Sequence, residues 1–486
     1  MDSKVILQVI DEVNCRFLGL PPEIRRKLYL KYKVFNPANR YIPAYRLQRW
    51  DGCWHYFAMN GATFINILEP ILEDVINEGY EIEIDDLRNY NRSFDFSPID
   101  NNFLSNYQWT DGPIQGQPII LRPHQTESIN AFLKNLQGIQ SIPTSGGKTL
   151  IIAALSKIIE KYGRSVIIVP SKDLIAQTEK YYHYLNLDVG VYFGDRKDFF
   201  KKHTICTWQS LSQLAKEPID AGMGELVTFQ RFSQGIVATI VDECQNLRGT
   251  VLKDLMTKQF AKVPIRWAVT GTVPREPHEI INLTISIGNV VHQIATNELQ
   301  EKGILSNCDV KILQLIDNRV FSSYATEYSY LVSDPVRLKY IASLIRETSK
   351  KGNILVLVGR KKTGKDLEKL IPDSVFLSGE NDTQERRKEY NEVAESYHKV
   401  IIATEQIAGT GIDMPRLNHL FLIEPGKSFI RTIQSVGRVL RTASDKNYAV
   451  IWDICSTCKY SKRHLTQRKK YYKEQKFPFT LDKVAY

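Results

Sequence analysis

Two stretches of the chain repeat the same hydrophobic pattern. Between residues 113 and 295, short runs of β-branched and aliphatic residues alternate with longer segments of helical period. The predicted buried strands of this stretch are residues 165–169, 204–206, 236–241 and 267–270. The pattern begins again after Asp334, with predicted strands at residues 353–358, 399–403, 419–423 and 449–452. Near-continuous apolar strands separated by helices indicate parallel sheets covered on both faces, so the sequence predicts two doubly wound α/β units in tandem.

The first hundred residues show a different pattern. Residues 4–9 alternate as in an edge or half-buried strand, Pro21-Pro22 indicates the start of a helix, and residues 62–77 have the period of an amphipathic helix. We interpret this region as a separate small α+β module. The predicted divisions are residues 1–112, 113–295 and 296–486, with residues 290–313 bridging the two α/β domains.

Composition narrows the class of protein. The chain has 486 residues, of which 43% are hydrophobic and 24% charged, as expected for globular domains with separate cores. No apolar run approaches the roughly 20 residues that span a bilayer, and acidic residues interrupt the first fourteen positions, unlike a signal peptide. We therefore expect a soluble, intracellular protein. Its seven scattered cysteines predict reduced thiols, and Cys455, Cys458 and nearby His464 supply too few ligands for a zinc site.

The positive charge is concentrated at the end of the chain. The net charge is +10, and residues 459–486 contain nine Lys or Arg against Glu474 and Asp482. Such a basic tail suits a polyanion, since binding of phosphates releases counterions. The alternative interpretation is a solvated helix that keeps the protein soluble.

Residues 142–149 have the composition and setting of a phosphate-binding loop. They follow a weak strand and precede an apolar helix, and Ser145, Gly146 and Gly147 allow backbone N–H groups to close around phosphate oxygens. Lys148 is expected to contact the β- and γ-phosphates of ATP, and the Thr149 hydroxyl is expected to bind Mg²⁺. Ile142 stands where the general motif has glycine, so a plain Gly-rich turn is the alternative.

Two carboxylates end a predicted strand of the same domain. Asp242 is suited to hold the Mg²⁺ shell, and Glu243 to polarise the attacking water. An exposed acidic turn is the alternative for either residue alone. Because the loop and the carboxylates occur in the right order, the pair favours an ATP hydrolase.

Further segments between about residues 121 and 455 resemble the motifs of superfamily 2 helicases, whose two domains are RecA-like. In the first domain, the resemblance implies adenine contacts at Arg122 and Gln125, and a coupling role for Gln245 and for the triplet Thr270-Gly271-Thr272. It also implies nucleic-acid contacts, in the first domain at Pro170, Ser171, Lys172, Thr207, Trp208 and Gln209, and in the second at Arg360, Gly379 and Thr404.

The second domain is expected to complete the ATP site. The resemblance implies nucleotide contacts at Gly411 and Asp413, and catalytic roles for Gln434, Arg438 and Arg441. The two arginines are three residues apart on one helical face, where they would stabilise charge on the transferring phosphoryl group. ATP hydrolysis would then require closure of the two domains. If the domains bound the nucleic-acid strand alternately during this cycle, hydrolysis would drive stepwise movement along the strand.

The motif details distinguish between kinds of helicase. Cys244-Gln245, Thr270-Gly271-Thr272 and Gln434-Ser435 differ from the Ala-Asp, Ser-Ala-Thr and His-Arg of DEAD-box RNA helicases. The chain is most similar to the phage UvsW helicases, which implies ATP-dependent unwinding or branch migration of forks and Holliday junctions in replication, recombination or repair. It further implies action in the cytoplasm of a bacterium or phage-infected host, as a monomer; the motifs identify no protein partner.

The N-terminal module takes part in this resemblance through Trp50-Asp51-Gly52, which follows residues 35–37. Taken alone, that triplet predicts a turn between strands with Trp50 in the core. The family implies that the module binds duplex DNA near a junction. Because residues 51–100 are acidic, the DNA face should be confined to basic residues of the first fifty: Arg25, Arg26, Lys27, Lys31, Lys33, Arg40, Arg46 and Arg49.

Three other functions stay open at this stage. One is a double-strand DNA translocase of the restriction-motor type, which moves without separating strands. A second is an RNA helicase. The third, a DNA-binding scaffold with a degenerate nucleotide fold, is disfavoured by Lys148, Glu243 and Arg441.

Overall fold

The chain forms two compact units in a computed structural model. One unit comprises Met1–Ser141 and Thr149–Gln293, and the other comprises Ile142–Lys148 and Ile294–Tyr486. The structure describes residues 4–37, 39–88, 93–112, 114–220, 222, 225–245, 250–274, 276–380, 388–389, 392–393, 396–405, 414, 416–426, 437, 440, 442, 446 and 448–486.

The N-terminal module is a four-stranded sheet with helices and a small second sheet. Its strands are β1 (Lys4–Val9), β2 (Asn14–Leu18), β3 (Lys33–Phe35), β4 (Cys53–His55), β5 (Ala62–Phe64) and β6 (Glu81–Asp86). Its helices are α1 (Pro22–Lys31), α2 (Pro43–Arg46) and α3 (Leu68–Asn77), with 3₁₀ turns at Asn39–Tyr41 and Ile65–Ile67. The main sheet has the order β5-β2-β1-β6, and β3 pairs with β4.

Two expectations for the module need correction. The helix predicted over residues 62–77 begins only at Leu68, because residues 62–64 pair with β2 as strand β5. Trp50 is half-buried rather than in the core, and Asp51-Gly52 ends a long excursion between β3 and β4 rather than a tight turn. The strand at residues 4–9 and the helix start at Pro22 are confirmed.

The module packs directly against the first α/β domain. Tyr56 donates its hydroxyl hydrogen to Asn282 Oδ1 at 3.1 Å, and Asn66 Nδ2 donates to Gln137 Oε1 at 2.8 Å. The Trp54 ring stacks on His278 with centroids 4.9 Å apart. These buried or half-buried contacts make residues 4–88 part of the same compact unit as the first domain.

The first α/β domain contains an eight-stranded sheet of order β10-β9-β11-β8-β14-β15-β7-β16. The strands are β7 (Gln137–Ser141), β8 (Arg164–Val169), β9 (Val189–Phe193), β10 (Arg196–Lys197), β11 (His203–Thr207), β14 (Ile236–Asp242), β15 (Ile265–Thr270) and β16 (Val290–Gln293), with a separate pair β12 (Ile219–Asp220) and β13 (Leu226–Val227). The helices are α4 (Pro123–Leu133), α5 (Lys148–Ile159), α6 (Lys172–Tyr184), α7 (Trp208–Lys216), α8 (Phe229–Ser233), α9 (Thr250–Asp254) and α10 (Pro277–Ser286), with a π-helical turn at Leu255–Gln259. All pairings are parallel except that of β10 with β9, as the buried apolar runs predict.

The second α/β domain contains a seven-stranded, fully parallel sheet of order β19-β20-β18-β21-β22-β17-β23. Its strands are β17 (Asn307–Leu315), β18 (Asn353–Val358), β19 (Ser374–Leu377), β20 (Val400–Thr404), β21 (Leu417–Ile423), β22 (Tyr448–Ser456) and β23 (Phe479–Val484). Its helices are α11 (Thr296–Glu301), α12 (Tyr324–Leu331), α13 (Pro335–Ser349), α14 (Lys361–Leu370) and α15 (Lys459–Glu474). The predicted bridge over residues 290–313 was too long, because β16 belongs to the first sheet and β17 to the second.

The basic tail is part of the second domain. Residues 459–474 form helix α15, and residues 479–484 add the edge strand β23 to the sheet. The Arg468 guanidinium is buried and binds both carboxylate oxygens of Asp453 at 2.8 Å. One of the nine basic residues of the tail is therefore used inside the fold.

Within the described part of the chain, no helix is both long and apolar enough to span a bilayer.

Candidate active site and nucleic-acid interface

Three neighbouring strands of the first sheet end at the predicted site. Strand β15 lies between β7 and β14, with Thr270 beside Ser141 and Val269 beside Asp242. Because these strands are parallel, their carboxyl ends share one edge of the sheet, where open α/β sheets bind their ligands. The phosphate-loop sequence, the Thr270 triplet and the two carboxylates thus leave the sheet from adjacent positions.

The predicted phosphate loop is a tight turn before helix α5. Gly146 N–H donates to the Pro143 carbonyl at 2.9 Å, and Ser145 has a φ of +71°, in the left-handed region that side chains rarely adopt. Helix α5 begins at Lys148, so the N–H groups of its first turn lie at the end of the loop. Backbone strain of this kind is concentrated at ligand-binding sites.

The loop contacts Gly437, and both lie in the unit that contains residues 142–148 and 294–486. Ser145 Oγ donates to the Gly437 carbonyl at 3.1 Å. A Cβ at Gly437 would lie 2.4 Å from Thr144 Cβ, too close for any side chain. The glycine is therefore required for this close approach.

The two carboxylates follow the most buried part of β14. Asp242 is buried and its Oδ1 accepts the Glu243 N–H at 2.9 Å, while Glu243 has a φ of +53°. The left-handed backbone turns the Glu243 side chain away from the direction that a continued strand would give it. Strand β14 therefore ends at Asp242, and the backbone turns at Glu243.

A buried hydrogen-bond chain joins the carboxylates to the next strand. Gln245 Nε2 donates to Glu243 Oε2 at 2.7 Å, and Thr270 Oγ1 donates to Gln245 Oε1 at 2.6 Å. The Thr270 hydroxyl oxygen also accepts the Thr272 N–H at 3.0 Å. Gln245 and Thr270 are both buried, so this chain is shielded from water.

The predicted adenine-contacting residues begin helix α4. Gln125 is buried and its Oε1 accepts the Arg122 N–H at 2.9 Å, which caps the helix. The Arg122 side chain is exposed. Because Gln125 Oε1 takes part in this capping bond, the orientation of the side-chain amide is fixed.

The nucleic-acid residues predicted in the first domain occupy adjacent strand ends. Thr207 lies beside Val169 in the pairing of β11 with β8, so Pro170 and the start of helix α6 neighbour the start of helix α7. Lys172 and Gln209 are exposed, and Ser171 and Trp208 are half-buried. The Thr207 hydroxyl is buried and accepts the Ser210 N–H at 3.3 Å, so it caps α7. The sheet brings these residues together at one edge.

The second sheet repeats the arrangement. Val358 of β18 lies beside Thr404 of β20, so Arg360 and Thr404 are on neighbouring strand ends, with Gly379 just beyond β19. Arg360 is exposed, its Nη1 donates to Ser329 Oγ at 2.9 Å, and its guanidinium lies 5.2 Å from the ring centroid of Tyr328.

Five predicted site residues lie outside the described residues: Gly411, Asp413, Gln434, Arg438 and Arg441. Cys455 and Cys458 are buried, with their thiols 3.8 and 3.7 Å from the carbonyls of Leu313 and Arg319. Among the described residues, no group of three His, Cys, Asp or Glu is arranged to hold a metal ion.

Comparisons with known proteins agree with this architecture. A family model described as type III restriction enzyme, res subunit, matches residues 118–275, and one described as helicase conserved C-terminal domain matches residues 336–443. The ATP-dependent DNA helicase uvsW of Enterobacteria phage T4 is 25% identical over 456 residues, covering 89% of this chain and 87% of the relative. The chain is a superfamily 2 helicase. It hydrolyses ATP, and it resembles the phage UvsW helicases.

Two further likenesses are more limited. The DNA 3'-5' translocase XPB2 of Sulfurisphaera tokodaii is 29% identical to the helicase over 193 residues, 40% of each chain. The structure of S. cerevisiae Dbp5 bound to RNA and ADP BeF3 has a TM-score of 0.53 at 16% identity, covering 74% of the helicase and 89% of Dbp5. At that identity the likeness concerns the fold alone, and the prediction of tandem RecA-like domains is confirmed.

Sequence reasoning missed two features of the helicase. The bond from Gln245 to Thr270 depends on the neighbouring positions of β14 and β15, which no local motif encodes. The aromatic group beside Arg360 was also missed: Tyr324 lies 5.6 Å from Tyr328 and 5.0 Å from His464 between ring centroids. The Tyr324 and Tyr328 spacing of four residues on one helix was the available signal.

Proposed function

We propose that this helicase uses ATP to remodel branched DNA, separating strands at forks and moving Holliday junctions. The observation that carries the proposal is the extent of the likeness to the T4 DNA helicase, 89% of this chain. Residues 113–486 make up 77% of the chain, so the likeness extends into the N-terminal module. A motor that only needed its two RecA-like domains would not require that module.

Lys148, Thr149 and Asp242 are the proposed binding groups for ATP and Mg²⁺. The donor set of a threonine hydroxyl and a carboxylate is the hard-oxygen type that Mg²⁺ prefers. The N-terminus of α5 adds backbone donors and a partial positive charge for the phosphates. Bound Mg²⁺ would neutralise charge on the β- and γ-phosphates during transfer.

Glu243 is the proposed residue that orients the attacking water. Its Oε2 accepts a hydrogen bond from Gln245 Nε2, which fixes the orientation of the carboxylate. The Thr270 hydroxyl in turn donates to Gln245 Oε1 and fixes that side chain. We propose that Gln245 and Thr270 are positioning residues that report the state of the nucleotide to the rest of the domain.

The other assignments complete the proposed ATP site. Gln125 and Arg122 would contact adenine, and Gly411 and Asp413 would contact the nucleotide from the second domain. Gln434, Arg438 and Arg441 would act on the transferring phosphoryl group, where a donated arginine is worth roughly 10³ to 10⁵ in rate in comparable enzymes.

The DNA strand is proposed to follow the carboxyl edges of the two sheets. It would contact Pro170, Ser171, Lys172, Thr207, Trp208 and Gln209 in the first domain, and Arg360, Gly379 and Thr404 in the second. The Thr207 hydroxyl caps helix α7 by accepting the Ser210 N–H, which positions the start of that helix beside the proposed strand. Backbone contacts of this kind do not select sequence, so little sequence preference is expected. The helicase is proposed to act as a monomer.

A double-strand DNA translocase is the second candidate. The relative XPB2, which matches 40% of this chain, is named a DNA 3'-5' translocase. The two candidates differ in product: a helicase separates strands, whereas a translocase hydrolyses ATP on intact duplex without doing so.

The test is ATP-dependent unwinding of four labelled substrates side by side: a fork, a Holliday junction and tailed duplexes of both polarities. Faster strand separation on the fork and the junction than on either tailed duplex is the expected result. ATP hydrolysis on intact duplex without separation of any substrate would favour the translocase and reject the proposal.

A further inference from the structure

The excursion between β3 and β4 is a built structure. Asn36 N–H donates to the Gly52 carbonyl at 2.8 Å and closes its base, and two short helices, Asn39–Tyr41 and Pro43–Arg46, fill it. It forms a cavity of about 720 Å³ that is wide open to solvent. That volume lies within the roughly 300–1,000 Å³ typical of small-ligand sites. The cavity is lined by Arg40, Tyr45, Arg46 and Arg49, with Gln48, Trp50 and Asp51.

Two aromatic rings form the apolar part of this cavity. Tyr45 and Trp50 meet edge to face, with centroids 6.5 Å apart and planes at 77°. Trp50 Nε1 donates to the Cys53 carbonyl at 2.9 Å, so the only polar atom of the indole is used within the excursion. A Cβ at Gly52 would lie 2.8 Å from the Tyr45 ring, so the backbone packs directly against it. The rings are therefore held in place, and Trp50 offers a π face rather than a hydrogen bond.

Three arginines, Arg40, Arg46 and Arg49, supply the positive charge of the cavity. All three are exposed, and in the described part of the chain none has an acidic partner within ion-pair distance. The one carboxylate of the cavity, on Asp51, is instead 3.0 Å from His55 Nε2 and 3.7 Å from Lys33 Nζ.

Two other cations of the predicted DNA face, Lys27 and Lys31, do have acidic partners. Lys27 is ion-paired with Glu78, and Lys31 lies 2.6 Å from Asp74. The acidic half of the module therefore neutralises the lysines of helix α1 and leaves the charge around the cavity available. Three of the basic residues expected from the sequence thus line one concave site, whereas Arg25 and Arg26 lie outside it.

We propose that this cavity binds one unpaired nucleotide of a DNA strand, with the base against Trp50 and the flanking phosphates on Arg40, Arg46 and Arg49. The inference rests on the proposed function on branched DNA. Stacking on an aromatic ring accepts any base, and guanidinium groups match phosphate oxygens. Bases inside duplex DNA are stacked and paired, so a site of this kind selects unpaired nucleotides over duplex DNA. The module's proposed place near a junction directs it to those at the branch point.

The test measures equilibrium binding of the full-length helicase, without nucleotide, to a fork with one unpaired nucleotide at the branch. A second fork carries an abasic site at that nucleotide, and a third carries the abasic site eight positions into the single-stranded arm. Stacking predicts that the intact fork binds about tenfold more tightly than the branch-abasic fork. The arm-abasic fork should bind like the intact one. Equal affinity for all three forks would overturn the proposal.

Two variants at Trp50 provide matched controls. Trp50→Phe and Trp50→Leu both lose the bond to Cys53, but only Phe keeps an aromatic face. Trp50→Phe should keep most of the preference for the intact fork, and Trp50→Leu should lose it. A Leu variant that retains the full preference contradicts the stacking role.

Two double variants test the charge contribution independently. One combines Arg46→Gln with Arg49→Gln, and the control combines Lys27→Gln with Lys31→Gln. The first pair should weaken fork binding and lower the slope of log K against log salt by about 2, and the second pair should change it little. An equal change in slope would contradict the special role of the cavity.

A free mononucleotide offers the same base and phosphate chemistry. Excess dTMP is therefore added to the intact fork in parallel. Retention of the branch preference supports a strand nucleotide, and its loss at micromolar dTMP would assign the cavity to a free nucleotide instead. Fork unwinding by the wild type is measured on the same preparation. Unwinding that persists without abasic discrimination rejects the cavity site alone, whereas no fork unwinding rejects the proposed function.

Discussion

Thr270 donates its hydroxyl hydrogen to the side-chain oxygen of Gln245 at 2.6 Å, and the amide of the same glutamine donates to Glu243 at 2.7 Å. The contact joins the ends of two adjacent parallel strands through buried side chains. An amide is suited to this position because it can donate to a carboxylate with one end and accept from a hydroxyl with the other. A movement of Glu243 is thereby linked to the residues that follow strand β15.

Gln245→Glu should reduce unwinding more than ATP hydrolysis. The substitution keeps the shape but removes the donor and places a carboxylate beside Glu243. A buried hydrogen bond to a charged group is worth about 1.5–3 kcal/mol, so we expect a loss of roughly 10- to 100-fold in unwinding rate. Strand separation and phosphate release are measured together on one fork.

Thr270 offers the matched control for this coupling. Thr270→Ser keeps the hydroxyl and should behave like the wild type, whereas Thr270→Val keeps the shape and should resemble Gln245→Glu. If Thr270→Val and Gln245→Glu lost ATPase activity and unwinding in parallel, the hydrogen bonds between Thr270, Gln245 and Glu243 would serve hydrolysis alone.

Removal of the N-terminal module should affect fork unwinding more than DNA-stimulated ATPase, and the structure decides where to cut. Residues beyond 93 belong to the first domain: Ile99 N–H donates to Asn130 Oδ1 at 2.8 Å, and Leu104 is fully buried. A chain beginning at residue 93 should fold, and one beginning at residue 111 should unfold at a lower temperature. Circular dichroism and the two activities are compared for both truncations. If the chain that begins at residue 93 lost ATPase activity and fork unwinding equally, the role of the module would be purely structural.

Arg468 should be essential for stability despite its place in a basic helix. Its guanidinium binds Asp453 twice and also donates to the Pro425 carbonyl at 2.6 Å. Arg468→Met would leave Asp453 buried without its cation, at an expected cost of about 3–5 kcal/mol. Lys470→Met, at an exposed position of the same helix, should cost little. Denaturant unfolding measures both, and equal effects would contradict the structure of the C-terminal region.

Acid should destabilise both domains through buried histidines. Burial lowers the pKa of His203 well below its usual range and that of His419 to about 4. The unfolded imidazole binds a proton near pH 6.5 and the folded one does not, so stability is full above that pH and declines as the pH falls towards 4. The expected slope approaches 1.4 kcal/mol per pH unit for each histidine. His419→Gln should lessen the decline between pH 6.5 and 4.5, and an unchanged pH dependence would show that this histidine titrates normally in the fold.

Eight strands, four in each α/β domain, could be predicted because continuous apolar runs indicate buried parallel strands. The sequence did not predict other strands of the two sheets, among them β9, β16, β19 and β23. The errors fell where tertiary pairing overrides a local pattern. Residues 62–64 suit a helix by period but pair with β2, and Val290 suits a linker but pairs with β7. Arg468 looks like any lysine or arginine of the tail until Asp453 of the neighbouring strand faces it.

The candidate site was predictable to the same extent. The roles proposed for Lys148, Asp242 and Glu243 rest on residue types and spacing that suit phosphate and Mg²⁺ chemistry. The Gln245 to Thr270 bond and the cavity beside Trp50 depend on which strands are neighbours and on which cations are already neutralised. Neither property is present in a local stretch of sequence.

The central claim is ATP-driven remodelling of branched DNA, and a mobile Holliday junction tests it most directly. The helicase is incubated with the junction and ATP, and conversion to duplex products is followed with time. Conversion by the wild type with ATP is expected, and none without ATP or with Lys148→Ala, although that variant should still bind the junction. Equal conversion by Lys148→Ala, or ATP hydrolysis on plain duplex with the junction left intact, would contradict the account.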